Sequence, residues 1–341
     1  KNFETLAFAS PEGAEASAFD AAKLSANYTS LEFAAGTSYV TNVGTQTLVT
    51  RGSLVAQAAG FVGIGEGSPP ATEATYAGSL NITSEAASAA ITANAQSLDL
   101  TIDASESVAN VVLLGLVQSA SVTLIQGVND METPDAADDV FNLAMFVLDN
   151  AAAQGDLESL TLSGNGQAVV TNALGSKLAT VDAAELNSVD IDGDTAIGLI
   201  YTSYNALAET VTLGGGADLI ALHASTYGAV NAHTFDTLIG YTPVLDGSTV
   251  AAGESDTLYV DGVSDSDIAI FTTTQSDLDL ALTDAATQYV EGSVVFHLGG
   301  DTYIYADNGS SAGVVDSNDT LVKLVGTIDL DALIASMQLS G

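Results

Sequence analysis

Leu98-Asp-Leu-Thr-Ile102 alternates apolar and polar residues without a break. An alternation of period two marks a strand with one face buried and the other in water. The same pattern returns in Leu80-Asn-Ile-Thr83, Ser121-Val-Thr-Leu-Ile125, Leu160-Thr-Leu-Ser163 and Glu209-Thr-Val-Thr-Leu213. Gly, Asn, Asp and Ser separate these runs, as tight turns require. The reading is therefore an all-β protein, an elongated β-solenoid or β-roll, or else a stacked β-sandwich. In a solenoid each short unit buries its apolar face only against its neighbour.

Two stretches break the rhythm. Asp135 to Ala153 follows Thr133-Pro134 and has apolar residues three and four apart, so it reads as one short helix inserted among strands. Phe19 to Tyr28 reads as a helical turn or two. Internal similarity adds a longer period. Ser79-Leu-Asn-Ile-Thr83 leads to Leu100-Thr-Ile-Asp-Ala-Ser105, much as Ser159-Leu-Thr-Leu-Ser163 leads to Leu178-Ala-Thr-Val-Asp-Ala-Ala184. Phe19-Asp-Ala-Ala22 repeats the last element, so Asp20, Asp103 and Asp182 stand roughly 80 residues apart, within reach of a repeat architecture. Three regions follow: 1–154, β-rich with the helical insertion; 155–245, Thr- and Gly-rich; and 246–341, a C-terminal β domain.

Charge narrows the function. The chain carries 43 Asp and Glu against 5 Lys and Arg, a formal net charge of −38, yet 47% of its residues are hydrophobic. Lys1, Lys23, Arg51, Lys177 and Lys323 cannot neutralise that many carboxylates. Either the acids face water, or hard cations such as Ca2+ take them as oxygen ligands. A polyanion without basic patches is a poor partner for nucleic acid. No apolar run reaches membrane-spanning length, so membrane insertion is not expected. The absence of Cys excludes disulfides and thiol-metal sites and suits an extracellular chain. No signal peptide is visible, and the start at Lys1 rather than Met suggests a processed product or fragment.

Glu209-Thr-Val-Thr-Leu-Gly-Gly-Gly-Ala-Asp-Leu-Ile-Ala-Leu222 is the sharpest motif. It nearly matches the Ca2+-binding nonapeptide Gly-Gly-x-Gly-x-Asp-x-U-x, where U is large and apolar. Gly214, Gly216 and Asp218 are the candidate ligands, with Leu213 in place of one consensus Gly. Asp236-Thr-Leu-Ile-Gly240 has the shape that trails such repeats. Asp190-Ile-Asp-Gly-Asp194 offers Asp190, Asp192 and Asp194 around one Gly, but Tyr201 stands where an EF-hand needs Glu, so a simpler Asp-rich turn is expected. Asp261-Gly-Val-Ser-Asp-Ser-Asp267 adds Asp261, Asp265 and Asp267; Asn129 and Asp130 are a further pair. The alternative for each is a solvated turn whose Asp bonds its own backbone.

Catalytic signals are poor. His223, His233 and His297 form no His-Glu-x-x-His pattern, and no Gly-x-Ser-x-Gly elbow is present. The histidines read as packing or surface residues, and no enzyme is expected.

The C-terminal stretch Glu291-Gly-Ser-Val-Val-Phe-His-Leu-Gly-Gly-Asp-Thr-Tyr-Ile-Tyr-Ala-Asp-Asn308, followed by Asp319-Thr-Leu-Val-Lys-Leu-Val-Gly-Thr-Ile-Asp-Leu330, resembles the end of RTX-type surface-layer proteins. Thr-Leu-Ser-Gly-Asn-Gly, Thr-Val-Asp-Ala-Ala and Glu-Thr-Val-Thr-Leu-Gly-Gly-Gly-Ala-Asp are similar to phrases of that family. The resemblance covers residues 155–341 well and 1–154 only in style. It implies type I secretion through an uncleaved C-terminal signal, a Ca2+-rich β-solenoid, and self-assembly outside the cell into a layer or filament. It implies backbone and carboxylate Ca2+ ligation by Gly214, Gly216 and Asp218, with Asp236 in the following turn. The chain departs from the family in carrying one degenerate nonapeptide rather than several, and in showing no obvious anchoring domain. The expected partners are further copies of the chain and cell-surface polysaccharide. A secreted adhesin on the same scaffold is the rival reading, and a secreted hydrolase a more distant one.

Overall fold

The computed structural model describes residues 5–8, 18–24, 27–64, 73–129, 140–148, 156–188, 197–229, 232–243, 255–263, 268–309 and 311–337. The chain divides into two units, Lys1–Val169 and Val170–Gly341.

In the first unit, apart from the short antiparallel pair Gly127–Asn129 and Val140–Asn142, the strands alternate between two rows and pair in parallel within each row. One row holds Thr5–Phe8, Ser30–Phe33, Thr47–Thr50, Ser79–Ser84, Ser97–Asp103, Ser119–Ile125 and Ser159–Asn165. The other holds Phe19–Asp20, Thr37–Val43, Ser53–Ala58, Ser88–Asn94, Ala109–Leu116 and Ala144–Leu148. This is a β-solenoid winding with two strands per coil, as the alternating runs predicted.

Register explains why the alternation is so regular. Ile82 pairs with Leu100, Leu100 with Val122 and Val122 with Leu162. All four are fully buried, so one position of every coil feeds the same apolar column. A one-residue slip in any coil would turn its column residue to water. Stacking also controls small residues. Gly115 pairs with Ala93 at a φ of 105°, and a Cβ there would run into the Ala93 carbonyl, so only Gly fits.

The Asp-Ala-small phrase has a local cause. Asp20, Asp103 and Asp182 each accept, through Oδ1, the backbone N–H two residues on, from Ala22, Ser105 and Ala184. At Asp20 and Asp103 this Asx turn ends a strand, whereas at Asp182 it lies within Thr180–Asn187. Phe19–Asp20 is followed by a single 3-10 turn, Ala21–Lys23.

The helix expected over 135–153 is not formed where that stretch is described. Val140–Asn142 and Ala144–Leu148 are strands, and the second pairs in parallel with Ala109–Leu116. Its residues from Val140 to Leu148 are almost all apolar and satisfy both a helical and a two-residue period. Pairing decides: Ala144, Phe146 and Leu148 are buried, while Met145 and Val147 are only half-buried.

The second unit begins with the same winding and ends differently. Thr180–Asn187, Thr210–Thr212, Asp236–Ile239 and Thr320–Leu324 form one parallel row, and Ile197–Ser203, Ala217–Leu222 and Thr257–Val260 the other. The first row then continues as an antiparallel hairpin, Asp301–Ala306 and Ser293–Leu298. Helix α1 (Leu278–Gln288) covers it. Ala281, Leu282, Ala285 and Ala286 pack on Val294, Phe296, Tyr303 and Tyr305. Helix α2 (Leu330–Ser336) follows. Asp277 and Asp329 cap the two helices by accepting from Leu280 and Ala332. No helix among the described residues is long and apolar enough to cross a membrane.

Candidate functional site

The Gly-rich turn is a coil corner of the second unit. Gly216 has a φ of 101°, and a Cβ there would collide with the Ser188 hydroxyl. The Gly215 carbonyl accepts from Ser188 N at 3.0 Å, and Gly215 N donates to Leu186 O at 2.9 Å. A Cβ on Gly214 would strike the Leu186 carbonyl. The glycines therefore let this corner lie directly on the preceding coil.

Asp218 follows at the start of a strand and is 3% exposed. Its Oδ1 accepts from Leu199 N at 2.8 Å, while Oδ2 is buried with no hydrogen-bond partner. Burial raises its pKa to about 6, against the pull of the Leu199 and Gly214 amides. Asp256 extends the same arrangement by one coil. Its Oδ1 accepts from Asp218 N at 3.0 Å and its Oδ2 from Thr242 N at 2.7 Å. Burial, with the charge of Asp218 adding to it, raises Asp256 to about 7.

Asp236 joins a different group. Its Oδ1 accepts from Glu209 N at 3.0 Å, and its Oδ2 is buried and unpartnered. Glu209, 2% exposed, accepts from Asn172 Nδ2 at 2.6 Å, Tyr201 Oη at 2.5 Å and Ser203 Oγ at 2.8 Å. Burial raises Glu209 to about 7; burial and then the Glu209 charge raise Asp236 to about 8. Four buried carboxylates thus stand in two pairs, Asp218 with Asp256 and Asp236 with Glu209. Lys23, Arg51 and Lys323 are engaged elsewhere, with Asp20, Glu85 and Asp301.

Of the other expected ligands, Asp261 and Asn129 are among the described residues. Asp261 is exposed and bonds Gly262 N next to it, the solvated-turn alternative. Asn129 ends a short strand paired with Val140. Asp130, Asp190, Asp192, Asp194, Asp265 and Asp267 lie outside the described residues. The histidines are held by packing. His223 stacks on Tyr204 at 4.5 Å, His233 lies against Tyr227 and Phe235, and His297 Nε2 meets Ile328 O at 2.8 Å.

Glu209 and Asp256 were not singled out as site residues from sequence, although a signal existed. Asp-Thr-Leu occurs at Asp236, Asp256 and Asp319, each time opening a strand. In all three the Asp is buried and accepts backbone amides from a neighbouring segment.

Among the described residues no three His, Asp or Glu side chains converge as a ready-made metal cluster. The unpartnered oxygens of Asp218 and Asp236 fit a hard cation bound by one carboxylate, with carbonyls and water completing the shell. The sequence matches no family model and no curated protein.

Proposed function

We propose that this chain is a secreted, Ca2+-binding structural protein that assembles with copies of itself into an extracellular layer or filament. One observation carries the cation reading. Asp218 and Asp236 each keep a buried carboxylate oxygen without a partner, and each faces a second buried acid, Asp256 and Glu209. Ionised at neutral pH, such pairs cost several kcal/mol unless a positive charge offsets them. Asp218 and Asp236 would each hold an ion, which would supply charge neutralisation and cross-linking of coils. A cation bound only by the folded chain adds stability by mass action. That suits a polyanion exported into a Ca2+-rich medium. The stacked coils supply the repetitive scaffold, and the C-terminal resemblance supplies the export route and the assembled state.

Exhaustive chelation followed by circular dichroism and light scattering tests this. A lower melting temperature and loss of large particles are expected, with recovery of both on adding Ca2+. An unchanged melting temperature and particle size would sink the reading.

A second reading, a surface-binding module, rests on the first unit. A groove of about 770 Å3 there is lined by Ser79, Asn81, Asp99, Ser121 and Thr161 among others. Asn81, Asp99, Ser121 and Thr161 are register partners on successive strands, so the groove presents a polar column suited to a polysaccharide. Binding of the chelated monomer to isolated cell-wall glycan would favour it.

A further inference from the structure

The C-terminal hairpin holds a second group of acids that the Gly-rich corner does not involve. Asp301–Ala306 and Thr320–Leu324 pair antiparallel, ending at Ala306 with Thr320. One step further stand Asp307 and Asp319. The Asp319 carboxylate meets the Tyr305 hydroxyl at 2.8 Å, so it lies on the Tyr305 side of the sheet. The two acids flank the end of the ladder and are 5% and 0% exposed, so their like charges are both taken out of water.

Asp319 is bonded through both oxygens. Its Oδ1 accepts from Gly309 N at 2.8 Å, and its Oδ2 accepts from Asp316 N at 2.9 Å and Tyr305 Oη at 2.8 Å. Asp307 is not. Its Oδ2 accepts from Glu291 N at 3.1 Å and Gly313 N at 2.6 Å, while Oδ1 is buried with no partner. A third acid, Asp316, stands beside Asp319, held there by its own amide bond to Asp319 Oδ2. Lys323 is the only Lys or Arg between 292 and 337, and it bonds Asp301 at 2.7 Å.

We propose that the mouth of this hairpin binds one divalent cation of the Ca2+ class, anchored by the free Asp307 oxygen and by Asp319. Carbonyls and water complete its oxygen shell, and the Asp316 charge adds attraction from outside it. The ion neutralises the pair and fixes the 307–319 connection to the sheet. The inference stands on different residues from the Asp218 corner.

Tb3+ titrated into the full chain, with tyrosine-sensitised emission and bound-ion stoichiometry as readouts, tests it. Asp307→Asn keeps the shape and the amide contacts; it is expected to lower the stoichiometry by one ion per chain. Tyr305→Phe leaves the carboxylates in place and is expected to lower sensitised emission with the stoichiometry unchanged. Asp218→Asn reports the other site. If Asp218→Asn loses an ion and folded Asp307→Asn does not, the hairpin site is wrong and the corner reading survives. If Asp307→Asn fails to fold, unchanged emission from Tyr305→Phe overturns the proposal by itself.

Discussion

Asp256 Oδ1 accepts the backbone N–H of Asp218 at 3.0 Å, so one buried acid of the second unit sits on the amide of another. Asp218 in turn accepts the amide of Leu199 at 2.8 Å. Each carboxylate caps the coil before it, while its charge opposes its neighbour. The two roles separate by mutation. Asp256→Asn removes the charge and keeps one of the two acceptors, so in chelator at pH 8 it is expected to cost less stability than the loss of both. Asp256→Ala leaves the amides of Asp218 and Thr242 unmet and is expected to cost about 1–3 kcal/mol. Urea unfolding of both variants measures the split.

The pH dependence follows from the same burial. Glu209, Asp236 and Asp256 are raised to about 7, 8 and 7, well above an unfolded carboxylate. The folded chain therefore binds more protons than the unfolded one between about pH 4 and pH 8. This stability is fully present below the unfolded pKa, near 4, and is lost as pH rises through 7 to 8. Without Ca2+ the melting temperature should fall from pH 5 to pH 8, and Ca2+ should flatten the slope. Glu209→Gln with Asp236→Asn should flatten it too, which separates these groups from the general repulsion of a −38 chain.

Asp218→Asn should keep the Leu199 contact and lose Ca2+ affinity at the corner. The Ca2+-induced rise in melting temperature is expected to shrink without vanishing, since Asp236 remains. A rise equal to that of the parent chain would mean that the Asp218 oxygen binds no ion.

In the first unit Leu100 sits between Ile82 and Val122 in the apolar column and is fully buried. Leu100→Ala should cost about 2–5 kcal/mol. Asp99→Ser, on the outward face beside it, should change stability by less than about 0.5 kcal/mol. Thermal denaturation of the two variants compares the faces.

Most of the solenoid was legible because a half-buried parallel strand writes its period directly into the chain, as Leu98 to Ile102 does. The segment Ala144–Leu148 misled because an uninterrupted apolar run carries no period, and only pairing with Ala109–Leu116 chooses one. Helix α1 was missed for the opposite reason. Leu278-Asp-Leu280 imitates a strand, and the helical face appears only with Ala281, Leu282, Ala285 and Ala286. The Gly-rich corner was visible because Gly216 and Asp218 form a local motif. The partners of its acids were not, since Asp256 lies 38 positions beyond Asp218 and Asp236 lies 27 beyond Glu209.

The account joins buried acids, Ca2+ and self-assembly, and one experiment bears on all three. Chelated monomer is titrated with Ca2+ through the millimolar range and followed by sedimentation velocity, with electron microscopy of the products. Monomer should convert to ordered sheets or fibres as Ca2+ rises and return on chelation, with the Asp218→Asn, Asp236→Asn double variant needing more Ca2+. A chain that stays folded and monomeric across all Ca2+ and protein concentrations would contradict the account.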